Sequence, residues 1–281
     1  MRILGINALF HDPAAALVID GRTVAATEEE RFSRRKHGKR PVPFSAWELP
    51  EKAAAWCLQR AGLRPQDLDA VAYSFDPELA RPAHEMGLDD PWDHLRVTYA
   101  REAPGFLRTA LPGLDPAIVR FVPHHMAHAA SSAFAADGAD MSSVLVLDGR
   151  GERASHLAAR RVHDRLEALA AQELPHSLGL VYEELTDHLG FLRSSDEFKV
   201  MALASHGRPG CCPSCAGTCT PRATAGSTPP VCRGTSCARR GARTSRGRRT
   251  TRTWRRVRRP CWRRRCWTWC AGCTGRRTTG C

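Results

Sequence analysis

Two histidines four residues apart, His124 and His128, lie in Pro123-His124-His125-Met126-Ala127-His128, and Leu147-Asp148-Gly149-Arg150-Gly151-Glu152 follows. Residues i and i+4 share one helix face, so on a helix the two imidazoles converge on a common point. Asp148, at the end of the next apolar run, would add a carboxylate. Two imidazoles and a carboxylate suit a divalent ion such as iron, zinc or manganese. No Glu stands between His124 and His128, so the His-Glu-x-x-His metalloprotease pattern is absent. Gly149, Arg150 and Gly151, with Glu152 beside them, form a turn whose backbone amides could approach a phosphate. The same turn could be a plain hairpin, and the histidines could be capping or core residues. Taken together, the two segments look like a metal ion held beside a nucleotide.

The elements that must position these groups can be read from the pattern of apolar residues. Ala117 to Val122 and Ser143 to Leu147 read as strands. Between them an Ala-rich helix runs from roughly His125 to Ala136 and is ended by Asp137-Gly138. At the start of the chain, Arg2 to Leu9 is a strand and Phe10-His11-Asp12-Pro13 a turn. Ala14–Ile19 and Thr23–Thr27 make a hairpin about Asp20-Gly21. A charged stretch, Glu28 to His37, comes next. Pro50 opens a helix running to Ala61, with Gly62 past its end. Asp67 to Ser74 is a strand, and a polar, mostly helical segment continues to Leu111. Two strand–hairpin lobes, each with a phosphate-type turn, indicate an α/β fold of the two-lobed actin-like ATPase kind, with a nucleotide in the cleft.

The composition changes abruptly near residue 208. After Leu203 there is no Leu, Ile, Phe, Tyr or Met, and after Lys199 no Lys, Asp or Glu. Eleven of the twelve cysteines and nineteen arginines fall from Arg208 onward, so the net charge of +13 is −6 before that point and +19 after it. One domain does not give such a shift. The Arg runs interleaved with Trp could be a nucleic-acid arm. The CxxC pairs Cys212/Cys215 and Cys270/Cys273 could hold zinc. A disulfide framework has no signal peptide to support it. The reading we favour is translation out of frame from GC-rich DNA: shifted by two nucleotides, Trp254 to Cys270 becomes a Leu/Ala-rich amphipathic string. The chain is thus expected to comprise an incomplete domain, 1–207, and a non-native, disordered tail, 208–281, with no specific nucleic-acid partner. No apolar run is long enough to span a membrane. Cys57, alone in the first part, fits a reducing cytoplasm.

Five ordered blocks across residues 1–207 resemble the carbamoyltransferases related to nodulation and antibiotic-tailoring enzymes. They are Gly5-Ile6-Asn7 with His11-Asp12 and Ala14-Ala15-Ala16; Glu29 to His37; His124 to Ala129; Asp148 to Glu152; and Asp196 to Ala204. The resemblance implies an ATP-dependent O-carbamoyltransferase. Carbamoyl phosphate and ATP would give carbamoyl-adenylate, and a hydroxyl of a sugar-bearing small molecule would accept the carbamoyl group. The adenylate-forming domain and at least one metal ligand of that family have no counterpart in these blocks, so this polypeptide is expected to be inactive alone, with a homodimer expected at full length. The resemblance also implies roles. His11 would be the general base, since neutral imidazole suits deprotonation of a hydroxyl near pH 7, and Asp12 would orient it or hold the acceptor. Lys36 and Arg34 would stabilise charge on the carbamoyl oxygen or the leaving phosphate. His125, Gly149, Arg150, Gly151 and Glu152 would lie against the nucleotide. Two other functions compete. One is a tRNA threonylcarbamoyl-transferase-like protein, against which the His11-Asp12 turn and the Glu29–His37 block argue. The other is a basic nucleic-acid-binding protein acting through its tail.

Overall fold

A computed structural model describes residues 1–38, 49–135 and 140–206 of the chain. The end of the Ala-rich helix at Asp137-Gly138, and everything expected of 208–281, lie outside the described residues. A first sheet holds β1 (Arg2–Asn7), β2 (Ala14–Ile19), β3 (Arg22–Glu28), β4 (Ala70–Tyr73) and β5 (Val119–Phe121) in the order β3-β2-β1-β4-β5. β1 pairs antiparallel with β2 on one flank and parallel with β4 on the other. This mixed sheet with helices packed on it is of the α/β class that the sequence suggested. The expected hairpin is present, with Asp20 and Gly21 both in left-handed backbone at its tip.

Alternation decides which face of this sheet is covered. Leu4, Ile6, Leu17, Val71 and Tyr73 point to one side and are at most 2% exposed. Against them pack Ala53, Ala54, Cys57 and Leu58 of α2 (Glu51–Arg60), with Tyr99, Ala100, Ala103 and Leu107 of α3 (Asp93–Ala110) in the same core. Spacings of three and four place each set on one helix face. Pro50 caps α2 rather than lying inside it. The segment from Phe75 to Trp92 is irregular where mostly helix was expected, because Pro77, Pro82, Gly87 and Pro91 interrupt it. The charged stretch is not a featureless loop. It contains α1 (Glu30–Ser33) and a single 3-10 turn, Lys36–Gly38. Glu29, ahead of α1, is 5% exposed and accepts the Ala53 amide at 2.8 Å, tying this stretch to α2.

The second sheet, β6-β7-β8, repeats the hairpin half of the first. β6 is Met141–Leu147, β7 Ala154–Val162 and β8 Arg165–Glu173, all antiparallel. Between the two sheets in sequence lies α4 (His124–Ala135), whose Ala129 packs in a small core with Val146, Leu157 and Ala159. The turn between β1 and β2 carries His11-Asp12. The turn between β6 and β7 carries Asp148 to Glu152. Equivalent turns of two like hairpins therefore carry His11-Asp12 and Asp148, while α4 carries His124 and His128. The fold divides after Leu180. Within the described part of the second unit, α6 (Glu197–Ala204) starts after Asp196, and Lys199 reaches back to Asp196 at 2.8 Å. Among the described residues no helix is long and apolar enough to cross a membrane.

Candidate metal centre and the loops beside it

His124 opens α4 and His128 follows one turn later, so both rings point to the same place. Their Nε2 atoms are 3.1 Å apart. Asp148, just past β6, presents Oδ2 at 2.9 Å from His124 Nε2 and 3.7 Å from His128 Nε2. The point equidistant from these three atoms lies about 1.9 Å from each. That is close to the ~2.0–2.2 Å typical of imidazole and carboxylate ligands, so His124, His128 and Asp148 fit as the residues that would hold a divalent ion. Hydrogen bonding supports that fit. His124 Nδ1 lies 3.2 Å from the Ser74 carbonyl, which can only accept, so Nδ1 carries the proton. Nε2 then presents a lone pair to a carboxylate, and a proton or a cation must sit between them. Metal-binding histidines are characteristically held by a backbone carbonyl in this way.

The electrostatics give the ligands the right charge. Burial works to raise the Asp148 pKa. The hydrogen bond and charge of His124, the Gly149 amide on Oδ1 and the charge of His128 outweigh it and hold the carboxyl down at about 2. Burial first, and then the neighbouring His124, lowers His128. The same two causes push His125 down to about 4. Both shifts favour the neutral ring in His125 and His128, beside an Asp148 carboxylate that is kept charged.

The other expected site residues fall into distinct places. His125 is buried, with Nε2 3.9 Å from Asp148 Oδ2, behind the triad. Gly151 lies flat on it: a Cβ there would come within 2.7 Å of the His125 ring. Glu152, expected beside the phosphate turn, is 6% exposed, and its Oε1 accepts the amides of Asp76 and His124 at 2.9 and 2.7 Å. It caps the first turn of α4, where four amides lack helical partners. The glycine amides are also committed, Gly149 N–H to Asp148 Oδ1 and Gly151 N–H to the Ala154 carbonyl. Arg150 donates to Asp90 Oδ2 at 2.6 Å, where Arg96 also pairs. Both glycine amides and Arg150 Nη1 are thus engaged within the protein, and the turn holds Asp148 in place.

His11, 56% exposed, lies in the first hairpin turn with its Nδ1 2.7 Å from Asp12 Oδ2. The turn is tied to the triad. Phe10 packs edge-on against the His124 ring at 5.1 Å. Ser74, whose carbonyl holds His124, donates its hydroxyl to Asn7 Oδ1, and Asn7 Nδ2 donates to the carbonyls of His11 and Asp12. Lys36 and Arg34 are exposed, on the short helical stretch whose His37 touches Asp12.

Three residues were not singled out from sequence. Asn7 stood in a quoted block without a role. Ser177 and Gly179 sit at the start of α5 (Leu178–His188). Ser177 Oγ accepts the Leu180 amide, as an N-cap does, and lies 2.6 Å from the Gly149 carbonyl. A Cβ on Gly179 would come within 2.5 Å of the Gly149 backbone. A Ser three residues before a helical amide was a readable cap, but the Gly149–Gly179 contact spans distant parts of the chain. Gly179→Ala should therefore push the Asp148 turn away, costing roughly 1–3 kcal/mol by overpacking. Thermal melting would check this, and an unchanged midpoint would refute the contact.

The model of a family described as carbamoyltransferase N-terminus matches residues 2–108 and 107–213. Nodulation protein NolNO of Sinorhizobium fredii is 36% identical over 208 residues, covering 72% of this chain and 29% of that protein. Nodulation protein NolO of Bradyrhizobium diazoefficiens is 41% identical over 86 residues, 31% of this chain and 15% of that one. Among solved structures, YeaZ from Pseudomonas aeruginosa superimposes with a TM-score of 0.35 at 15% identity, covering 62% of this chain and 68% of that one. The chain thus spans less than a third of either nodulation protein, and its five sequence blocks all lie within the matched region: it belongs to the carbamoyltransferase family, through that family's N-terminal domain.

Proposed function

We propose that residues 1–207 form the acceptor-side domain of an ATP-dependent O-carbamoyltransferase, which moves a carbamoyl group from carbamoyl-adenylate to a hydroxyl of a sugar-containing small molecule. The observation that carries this reading is the His124–His128–Asp148 triad with the His11 turn fastened beside it. His124, His128 and Asp148 would hold a divalent ion, iron before zinc, manganese or magnesium. When bound, it supplies Lewis-acid polarisation and neutralises phosphate charge. His11, exposed and oriented by Asp12, takes the proton of the attacking hydroxyl. Lys36 and Arg34 supply positive charge for the carbamoyl oxygen and the departing phosphate. Arg150 and Glu152 act indirectly, by holding the Asp148 turn and the start of α4, with His125, Gly149 and Gly151 completing the wall beside the adenylate.

Carbamoyl phosphate and ATP are the substrates proposed for the whole enzyme. The tail after residue 207 is proposed to add no function. The 281-residue polypeptide alone should then release neither carbamoylated acceptor nor AMP from them. The domain reading is tested by calorimetric titration with a non-hydrolysable carbamoyl-adenylate analogue. Binding should require the metal and disappear with a chelator or in His124→Ala. Metal-loaded protein that ignores the analogue would sink the reading.

A further inference from the structure

The Glu29–His37 block contains a histidine to which the transfer scheme assigns no role. His37 Nδ1 lies 2.9 Å from Asp12 Oδ1, while His11 Nδ1 lies 2.7 Å from Asp12 Oδ2. One carboxylate thus bridges two imidazoles, one oxygen to each. The backbone repeats the join, because the Asp12 amide donates to the His37 carbonyl at 3.1 Å. Glu30 Oε2 accepts the His37 amide at 3.0 Å, anchoring the far side of the clasp to α1. Phe10, Asp12, Arg34 and His37 all have φ between 53° and 64°, left-handed backbone that non-glycine residues rarely adopt. Such strain persists only where surrounding contacts over-determine it, and it gathers at working sites.

We propose that His37 is a positioning residue: through Asp12 it holds His11 in the Nδ1–H tautomer, so that Nε2 is the atom that takes the acceptor's proton. An ionised carboxylate can only accept hydrogen bonds. With each oxygen facing an Nδ1, both rings must carry their proton there, and both Nε2 atoms are left with a lone pair. Burial works to raise the Asp12 pKa, but the hydrogen bonds from His37 and then His11 outweigh it, keeping the carboxylate charged. Without His37, Asp12 would be free to turn, and His11 would lose the partner that selects its tautomer.

The inference rests on the transferase reading, and the step balances within it. The acceptor O–H bond breaks and its proton passes to His11 Nε2, giving an imidazolium beside charged Asp12. The acceptor oxygen bonds to the carbamoyl carbon. The bond from that carbon to the adenylate oxygen breaks, and its electron pair leaves on AMP.

A divalent cation could compete for the same groups, since Asp12, Glu30 and His37 offer ligand atoms within 4.8 Å of one another. The hydrogen bonds favour the clasp, because His37 Nδ1 and Glu30 Oε2 are each already engaged at about hydrogen-bond distance.

The test is ring-nitrogen NMR of the full 281-residue chain with labelled histidine, in chelator, at a pH where the rings are neutral. It needs no turnover, so its failure is separable from failure of the transferase reading. In the unsubstituted protein both His11 and His37 should be Nδ1–H, and an Nε2–H tautomer in either would overturn the proposal without any variant. His37→Gly keeps the left-handed backbone, and should lower the His11 ratio of Nδ1–H to Nε2–H about tenfold, the scale of losing a hydrogen bond to a charged group. His37→Asn, which can still donate to Asp12, should restore it. An unchanged His11 tautomer in His37→Gly would overturn the proposal. So would zinc shifting the His37 ring stoichiometrically in His124→Ala, which would make the cluster a cation site.

Discussion

Asp148→Asn should weaken divalent-metal binding at least about 100-fold, since loss of mere outer partners of metal ligands already costs ~10–100-fold. Asn keeps the size of Asp148 and can still accept the Gly149 amide, so the turn should survive while the charged ligand is lost. Competition with a chelating dye measures the affinity, and circular dichroism checks that the fold persists. Equal affinity in variant and parent would show that the triad is not the metal site. The same variant has a pH signature in metal-free protein. Asp148 is held at about 2 in the fold, below the ordinary carboxylate range. A depressed carboxylate contributes stability that is present above its unfolded pKa and lost as pH falls through its folded one. Between pH ~4 and ~2 the parent should therefore lose stability that Asp148→Asn never had.

Glu152→Ala should be the most damaging single change to stability near the site. Its Oε1 satisfies the amides of both Asp76 and His124, and the side chain is 6% exposed. Alanine would leave one buried donor and one part-buried donor without this partner, at roughly 1–3 kcal/mol for the buried one and less for the other. For a domain of this size that corresponds to a fall in melting temperature of roughly 2–4 °C per kcal/mol. Glu152→Gln retains an acceptor oxygen in the same place and should lose no more than about 1.5 kcal/mol, the charge-assisted part of the bonds. The contrast is the measurement: equal melting points for the two variants would mean that Glu152 does not cap α4. Metal affinity should follow the same order, because the amide it holds belongs to the ligand His124.

The triad was legible in the sequence because its geometry is local. The spacing of His124 and His128 is a helix repeat, and Asp148 sits at the end of an apolar run. The hairpins, and with them the α/β class, were legible for the same reason: alternation and Asp20-Gly21 are short-range signals. What could not be read was the destination of side chains whose partners are distant in sequence. Glu152 resembles part of a phosphate turn until Asp76, in an irregular segment after β4, is found to be its partner. Arg150 looks free until Asp90 comes to meet it. His37 stands in the charged stretch with no role of its own, and only the meeting of two turns 25 residues apart reveals its contact with Asp12. The irregular stretch before α3 was misjudged as helical because its polar composition outweighed its prolines.

The left-handed clasp has a consequence for how affinity is divided from stability. Each of Phe10, Asp12, Arg34 and His37 holds a backbone conformation costing of order 1–3 kcal/mol. That cost is met when the chain folds, by the core beneath β1 and β2. A ligand arriving at His11 encounters a ring whose turn is already ordered, and little of its binding free energy is consumed in freezing loop entropy. The folding equilibrium thus bears the ordering of the His11 turn, and the binding equilibrium is relieved of it.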